Sequence, residues 1–292
     1  MAKKSWLIVG SVPKVDFPLI LAPFTLTPDC KLSSGDLSLK IVRGTPTLIA
    51  SAILTKQTLT NDAYFSALLV GDTGSGEGSH KLYAKLCTDL KSSTSWSGLT
   101  FHYLYPDVDW QNRILLALDN VSLKPCLVAD AGFMYAAKMS GYAGQYDLFT
   151  PDLGELAFLA DEQAPHPFYT RGFLLDTNQS VPDLIARAYE HTNAAKWLIV
   201  KGASDTIVHH GEIVTTINSP NVPAMEAIGG TGDLVTGVVT GLLAAGLDLE
   251  KACPLAARVA RIAGKLAKPN PATQIAAILP HIPLALEECL QN

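Results

Sequence analysis

Residues 227–246 read "AIGGTGDLVTGVVTGLLAAG", which sets a single carboxylate, Asp233, between a glycine turn and a long apolar run. Gly229, Gly230 and Gly232 allow backbone conformations that aim successive N–H groups at one point, and the helix that follows adds its own unpaired donors. Such a cradle suits a phosphate. A helix cap would account for Asp233, but not for the glycines before it. A general base would account for both, because the carboxylate then stands beside the phosphate site and faces whatever hydroxyl attacks it. Gly237 and Gly241 fall four residues apart on one helix face, a spacing that predicts close helix packing and no chemistry.

Three further stretches carry groups of the same kind. "TPDLGE" (150–155) spaces Asp152 and Glu155 three residues apart. On the first turn of a helix they would share a face, either holding a hydrated Mg²⁺ through waters or complementing the helix dipole. "KGASDT" (201–206) puts Lys201 just after the apolar run "WLIV", where an ammonium could meet nucleotide phosphates. "GDTGSGEGSHK" (71–81) is neither a phosphate-binding loop ending in Gly-Lys-Ser/Thr nor a dinucleotide fingerprint, and reads as a glycine turn that admits a bulky ligand or simply bends. The pair His209-His210 falls in a hairpin between "DTIV" and "GEIVTTI", with no metal-ligand spacing to another residue.

These groups need strand ends to hold them. The windows 6–10, 66–74, 125–132, 146–152 and 196–204 each hold a short run rich in apolar, branched residues followed by a turn signal. Helical patterns follow at 78–92, 110–118, 153–161, 181–191, 233–245 and 250–267, with Ser180, Pro182 and Asp183 marking one start. The alternation predicts an α/β fold with a mostly parallel sheet covered on both faces. In such sheets ligands bind beyond the carboxyl ends of the strands, which selects Asp72 to Gly78, Asp130, Thr150 to Glu155 and Lys201 to Thr206. The stretches 92–98 and 161–171 read as surface loops, and without repeats or a linker, residues 1–292 are expected to form one domain.

The chain has 292 residues, 48% hydrophobic and 17% charged, with a net charge of −5 and scattered basic residues. That balance speaks against a nucleic-acid surface and for small-molecule partners. The N-terminal apolar run is too short for a signal peptide, no run is long enough for a membrane span, and five widely spaced cysteines fit a reduced, cytoplasmic protein.

Taken in order, "GDTGSG", "VADAG", "TPDLGE", "KGASDTI", "GGTGDLVTGVVTGLLAAG" and the tail "PATQIAAILPHI" resemble the ribokinase-like superfamily, and within it the ADP/ATP-dependent NAD(P)H-hydrate dehydratases, over residues 65 to 283. The resemblance implies a three-layer αβα fold without a separate lid domain. It implies repair of hydrated NADH or NADPH with ATP or ADP and Mg²⁺: a nucleotide phosphorylates the ring hydroxyl, and phosphate then leaves. Asp233 would deprotonate the hydroxyl, and the amides of Gly230, Thr231 and Gly232 would receive the phosphoryl group. Lys201, Gly202, Ala203, Asp205 and Thr206, with Gly232, would bind the nucleotide. Gly74, Gly76, Asp130 and Asp152, with Asp233, would bind the substrate, and Glu155 and Asp152 would hold Mg²⁺ through water. The resemblance also implies a homo-oligomer, a tetramer among the options. This chain has Asp152 where the family usually has His, and its first 60 residues lack the glycine- and alanine-rich helix that the resemblance leads one to expect. A sugar or vitamin-precursor kinase of the same fold, and a non-catalytic nucleotide-binding relative, are the alternative readings.

Overall fold

Strand β1 (Trp6–Val12) is buried along its whole length, the pattern of an inner strand with helices on both faces. Its side chains alternate between two cores: Ile8 faces one, Leu7 and Val9 the other. The computed structural model describes residues 5–62, 64–91, 96–162 and 180–291. After β1 come β2 (Ile20–Leu26), β3 (Lys31–Ser34), β4 (Leu37–Lys40), α1 (Thr45–Thr60), β5 (Tyr64–Gly71), α2 (Glu77–Lys91), β6 (Gly98–His102) and α3 (Val108–Asp119). The chain continues with β7 (Cys126–Ala129), α4 (Gly132–Met139), β8 (Leu148–Phe149), α5 (Leu153–Ala160), α6 (Val181–Glu190) and β9 (Trp197–Val200). It closes with β10 (Asp205–His209), β11 (Glu212–Ile217), α7 (Thr231–Ala244), α8 (Leu249–Ala267) and α9 (Ile282–Gln291).

The strands form one sheet in the order β11-β10-β9-β8-β7-β6-β1-β5-β2-β3-β4. The inner six, β9 to β5, pair parallel, and antiparallel strands extend both edges. Helices α1, α7, α8 and α9 cover one face, and α2 to α6 the other. This is the expected three-layer αβα architecture. Among the described residues, no helix is long and apolar enough to cross a membrane. The cysteines are free thiols.

Predicted helices fall within a few residues of those observed, and the expected start of α6 is there, with Ser180 accepting from the Asp183 N–H. Of the two stretches read as surface loops, 92–95 and 163–171 lie outside the described residues. The expected hairpin at His209-His210 joins β10 to β11.

The N-terminal region does form a helix, though not the glycine- and alanine-rich one that the resemblance led one to expect. The 16-residue α1 is rich in threonine and leucine and contains no glycine. Its close packing comes from its partner: a Cβ added at Gly237 of α7 would lie 2.4 Å from the Leu48 carbonyl oxygen, and one at Gly241 2.7 Å from Thr55 Cβ. The small residues sit on α7 and let the two backbones touch.

Candidate active site

Helix α7 begins at Thr231, capped by Gly230 at φ 101°, a conformation that glycine reaches without strain. That turn points the start of α7 into a cavity of about 650 Å³, lined among others by Asp130, Asp152, Glu155, Lys201, Gly232 and Asp233. The cavity therefore lies beyond the carboxyl ends of β7, β8 and β9, as the sheet topology requires.

Asp233 sits in the first turn of α7 and is buried. Its side chain does not cap its own helix. Oδ2 accepts from the Gly44 N–H at the start of α1 (2.5 Å), and Oδ1 meets Nε2 of His102 at the end of β6 (3.1 Å). Burial alone would raise the carboxyl pKa, but His102, the Gly44 N–H and the Lys201 ammonium outweigh it and hold it below the ordinary value.

Lys201 follows β9, and its Nζ donates to both oxygens of Asp130, at 2.9 and 3.1 Å. Gly232 lies directly against it: a Cβ there would meet Nζ at 3.4 Å, an ordinary contact distance. Burial would lower this ammonium's pKa, but Asp130 and Glu155 reverse the shift and keep it charged. Asp130 also accepts from the Thr236 hydroxyl (2.6 Å) and is fixed from three sides. The next residue, Ala131, has φ 51°, and Tyr103 across the cavity also has φ 51°. Two non-glycine residues in this region at one cavity are backbone strain of the kind that collects at functional sites.

Asp152 and Glu155 form a reciprocal capping box at the start of α5: Asp152 Oδ1 accepts from the Glu155 N–H, and Glu155 Oε2 from the Asp152 N–H, both at 2.8 Å. The dipole-complementing reading of this pair is thus realised, and both residues also face the cavity. Glu155 Oε1 accepts from the Tyr135 hydroxyl (3.2 Å). Burial, then the Asp130 charge, pushes the Glu155 carboxyl up to about 8.

The segment after Lys201 is held from α8. Arg261 donates to Asp205 (2.7 Å) and to the carbonyls of Gly202 and Ala203 (3.0 and 2.9 Å), while Asp205 accepts from the Gly202 N–H. Gly202, Ala203 and Asp205 line the cavity. Thr206 is a buried strand residue paired with Val200 and is not among the lining residues.

Gly74 and Gly76 are not brought to this cavity either. Asp72 folds their loop onto itself by accepting from the N–H groups of Gly74, Gly76 and Ser79. The Tyr105 ring then covers Gly76, its Cγ 2.9 Å from where a Cβ would stand.

The sequence reading missed His102, Gly44, Tyr103 and Arg261. "RGTPT" (43–47) carried a signal for Gly44, since Pro46 marks a helix start just behind it. "GLTFH" (98–102) is a short apolar run ending in a polar group, the pattern of an inner strand that delivers a side chain to its carboxyl end.

Residues 108–283 match the family model described as NAD(P)H-hydrate dehydratase. An uncharacterized protein of Methanocaldococcus jannaschii is 39% identical over 77% of this chain and 92% of its own. An ADP-dependent (S)-NAD(P)H-hydrate dehydratase of Cenarchaeum symbiosum is 27% identical over 64% of this chain and 58% of its own. Among solved structures, a ribokinase-like superfamily protein of Enterococcus faecalis aligns with TM-score 0.58 at 14% identity, covering 99% of this chain and 88% of that one. The ADP/ATP-dependent NAD(P)H-hydrate dehydratase of Bacillus subtilis, co-crystallized with ATP/Mg²⁺, aligns with TM-score 0.56 at 13% identity, covering 98% and 90%. At such identities the structures speak for the fold, which is ribokinase-like.

Proposed function

Because the chain belongs to the NAD(P)H-hydrate dehydratase family, we propose that it uses an adenine nucleotide to dehydrate hydrated NADH or NADPH. The observation that carries this reading is Asp233: a buried carboxylate held below the ordinary pKa at the N-terminal turn of α7, lining the same cavity as Gly230, Thr231 and Gly232, whose N–H groups lie at a helix start where no partner within the helix exists.

In the first step the substrate's ring hydroxyl gives its proton to Asp233 as its oxygen bonds to the terminal phosphorus of the nucleotide. The bond to the nucleotide's bridging oxygen breaks, and the N–H groups of Gly230, Thr231 and Gly232 receive the phosphoryl charge. In the second step the C–O bond breaks with its electron pair leaving on phosphate, the proton on the neighbouring carbon passes to water, and the C–H electron pair restores the ring double bond. The Gly202–Asp205 segment, shaped by Arg261, and the Lys201 ammonium serve the nucleotide side.

Leaving Glu155 aside, Asp130, Asp152, Asp205, Glu226 and Asp233 line the cavity against the Lys201 and Arg261 cations, and that surplus of carboxylates fits a divalent cation. Among the described residues no cluster of three or more His, Cys, Asp or Glu could hold a metal directly, so Glu155 and Asp152 would hold Mg²⁺ through water. When bound, the ion would neutralise phosphate charge.

The experiment is incubation with hydrated NADH plus ATP or ADP and Mg²⁺, read as the return of reduced-nicotinamide absorbance. The expected result is recovery by the wild type, and a fall in kcat of about 10²- to 10⁴-fold for Asp233→Asn with nucleotide affinity intact. No recovery with either nucleotide overturns the dehydratase; wild type and variant equally inactive while still binding nucleotide favours a non-catalytic binder.

A further inference from the structure

We propose that His102 is a positioning residue for Asp233: with the Gly44 N–H it grips both carboxylate oxygens and fixes the orientation in which the base meets its substrate. The inference rests on Asp233 being the base. An aspartate on the first turn of a helix can turn about its side-chain bonds, and burial alone does not select one rotamer. Here two donors from different elements hold it, Gly44 from the start of α1 and His102 from the end of β6. An ionised carboxylate offers about four acceptor positions, so two remain for the cavity side.

His102 is itself fixed. It is fully buried, its Nδ1 meets the Thr45 hydroxyl at 3.1 Å, and the Tyr103 ring packs edge-on against it with centroids 4.5 Å apart. Because an ionised Asp233 only accepts, Nε2 carries the proton of that bond. The space for this arrangement is provided in β1: a Cβ on Gly10 would fall 2.7 Å from Thr45 Cγ2 and 2.8 Å from the His102 carbonyl oxygen.

Gly10, Gly44, Thr45 and His102 all precede residue 108, where the family match begins. The N-terminal part of the chain therefore contributes the orientation of the base, while α7 contributes the base itself. Lys201 after β9 and the Tyr103 phenol after β6 also interact with the Asp233 charge, and Asp130 after β7 brings its Oδ2 within 3.8 Å of His102 Nε2. Lys201 favours the ionised carboxylate as His102 does, and Asp130 opposes it.

The test compares wild type with His102→Leu, which removes the donor, and His102→Gln, whose amide nitrogen can reach Asp233. Two readouts are used: kcat against pH with hydrated NADH and nucleotide, and the Asp233 carboxyl ¹³C titration, assigned by its absence in Asp233→Asn. The expected result for His102→Leu is a kcat lower by about 10- to 100-fold, as for outer partners that orient a reacting group. Its nucleotide KM stays within about twofold, a loss of the kind that arises only in the transition state, and its acid limb and carboxyl midpoint both move up. His102→Gln recovers most of each. If leucine prevents folding, His102→Asn, too short to reach, takes its place. Leu and Gln variants with equal kcat and equal midpoints overturn the proposal. If the wild type does not turn over hydrated NADH, the substrate reading fails, and the carboxyl titration still decides the role of His102: an unmoved midpoint overturns it.

Discussion

Replacing Gly237 by alanine places a methyl group 2.4 Å from the Leu48 carbonyl oxygen and 2.6 Å from Ser51 Cβ. The first distance is roughly 1 Å inside ordinary van der Waals contact, and both partners belong to helix α1, so no flexible side chain can yield. Overpacking of this kind costs about 1–3 kcal/mol, and alanine returns about 1 kcal/mol in helix propensity, leaving a net loss of about 0–2 kcal/mol. The methyl group acts as a wedge between α7 and α1. Asp233 lies one turn before Gly237, and Gly44 one turn before Leu48, so the wedge also stretches the 2.5 Å contact between them. With Asp233 as the proposed base, misplacing it by a fraction of an ångström is expected to lower kcat by about 10- to 100-fold, while affinity for the nucleotide, proposed to bind at the Lys201–Asp205 segment, holds. Urea unfolding and steady-state kinetics on the same preparation measure both effects. A Gly237→Ala protein as stable as the wild type, with the same kcat, refutes the claim that close backbone contact between these helices sets the site.

Arg261→Met removes the partner of the buried Asp205 and two bonds to loop carbonyls; the expected loss is about 3 kcal/mol with a raised nucleotide KM, and a double-mutant cycle with Asp205→Asn that shows no coupling would contradict it. Lys138, buried under the end of α5, donates to the Phe158 and Asp161 carbonyls. Burial pulls its ammonium down to about 8 from 10.5, with Asp161 opposing. Between those values the unfolded chain binds more protons than the folded one, so wild-type stability rises as pH goes from about 8 to 10.5, on the order of 2 kcal/mol. Lys138→Met loses that rise, and equal slopes for the two proteins in thermal melts across this range would rule the explanation out.

Much of the site was readable before any coordinates. The glycines and Asp233 belong to one turn and one helix start, so local chemistry sufficed to identify them. Lys201, Asp130 and Glu155 each follow an apolar run, and the rule that ligands gather beyond strand ends was enough to group them. Glycines 74 and 76 satisfied the same rule and still lie elsewhere, because Asp72 and Tyr105 close their loop. The N-terminal helix was missed because its close packing is paid for by glycines on α7, leaving α1 free of the expected composition.

The sequence by itself determined which group stands as the candidate base: a carboxylate after a glycine turn has its helix terminus and its neighbouring N–H donors set within a few residues. Only the tertiary structure decided how that carboxylate is aimed. Gly44 and His102 lie 189 and 131 residues from Asp233 along the chain, and neither carries a local pattern that names its partner. They meet because β1 and β6 are neighbours in a parallel sheet and α1 packs backbone to backbone on α7. Sheet order and helix contact are set by the burial of the whole chain, and no short window of residues contains them.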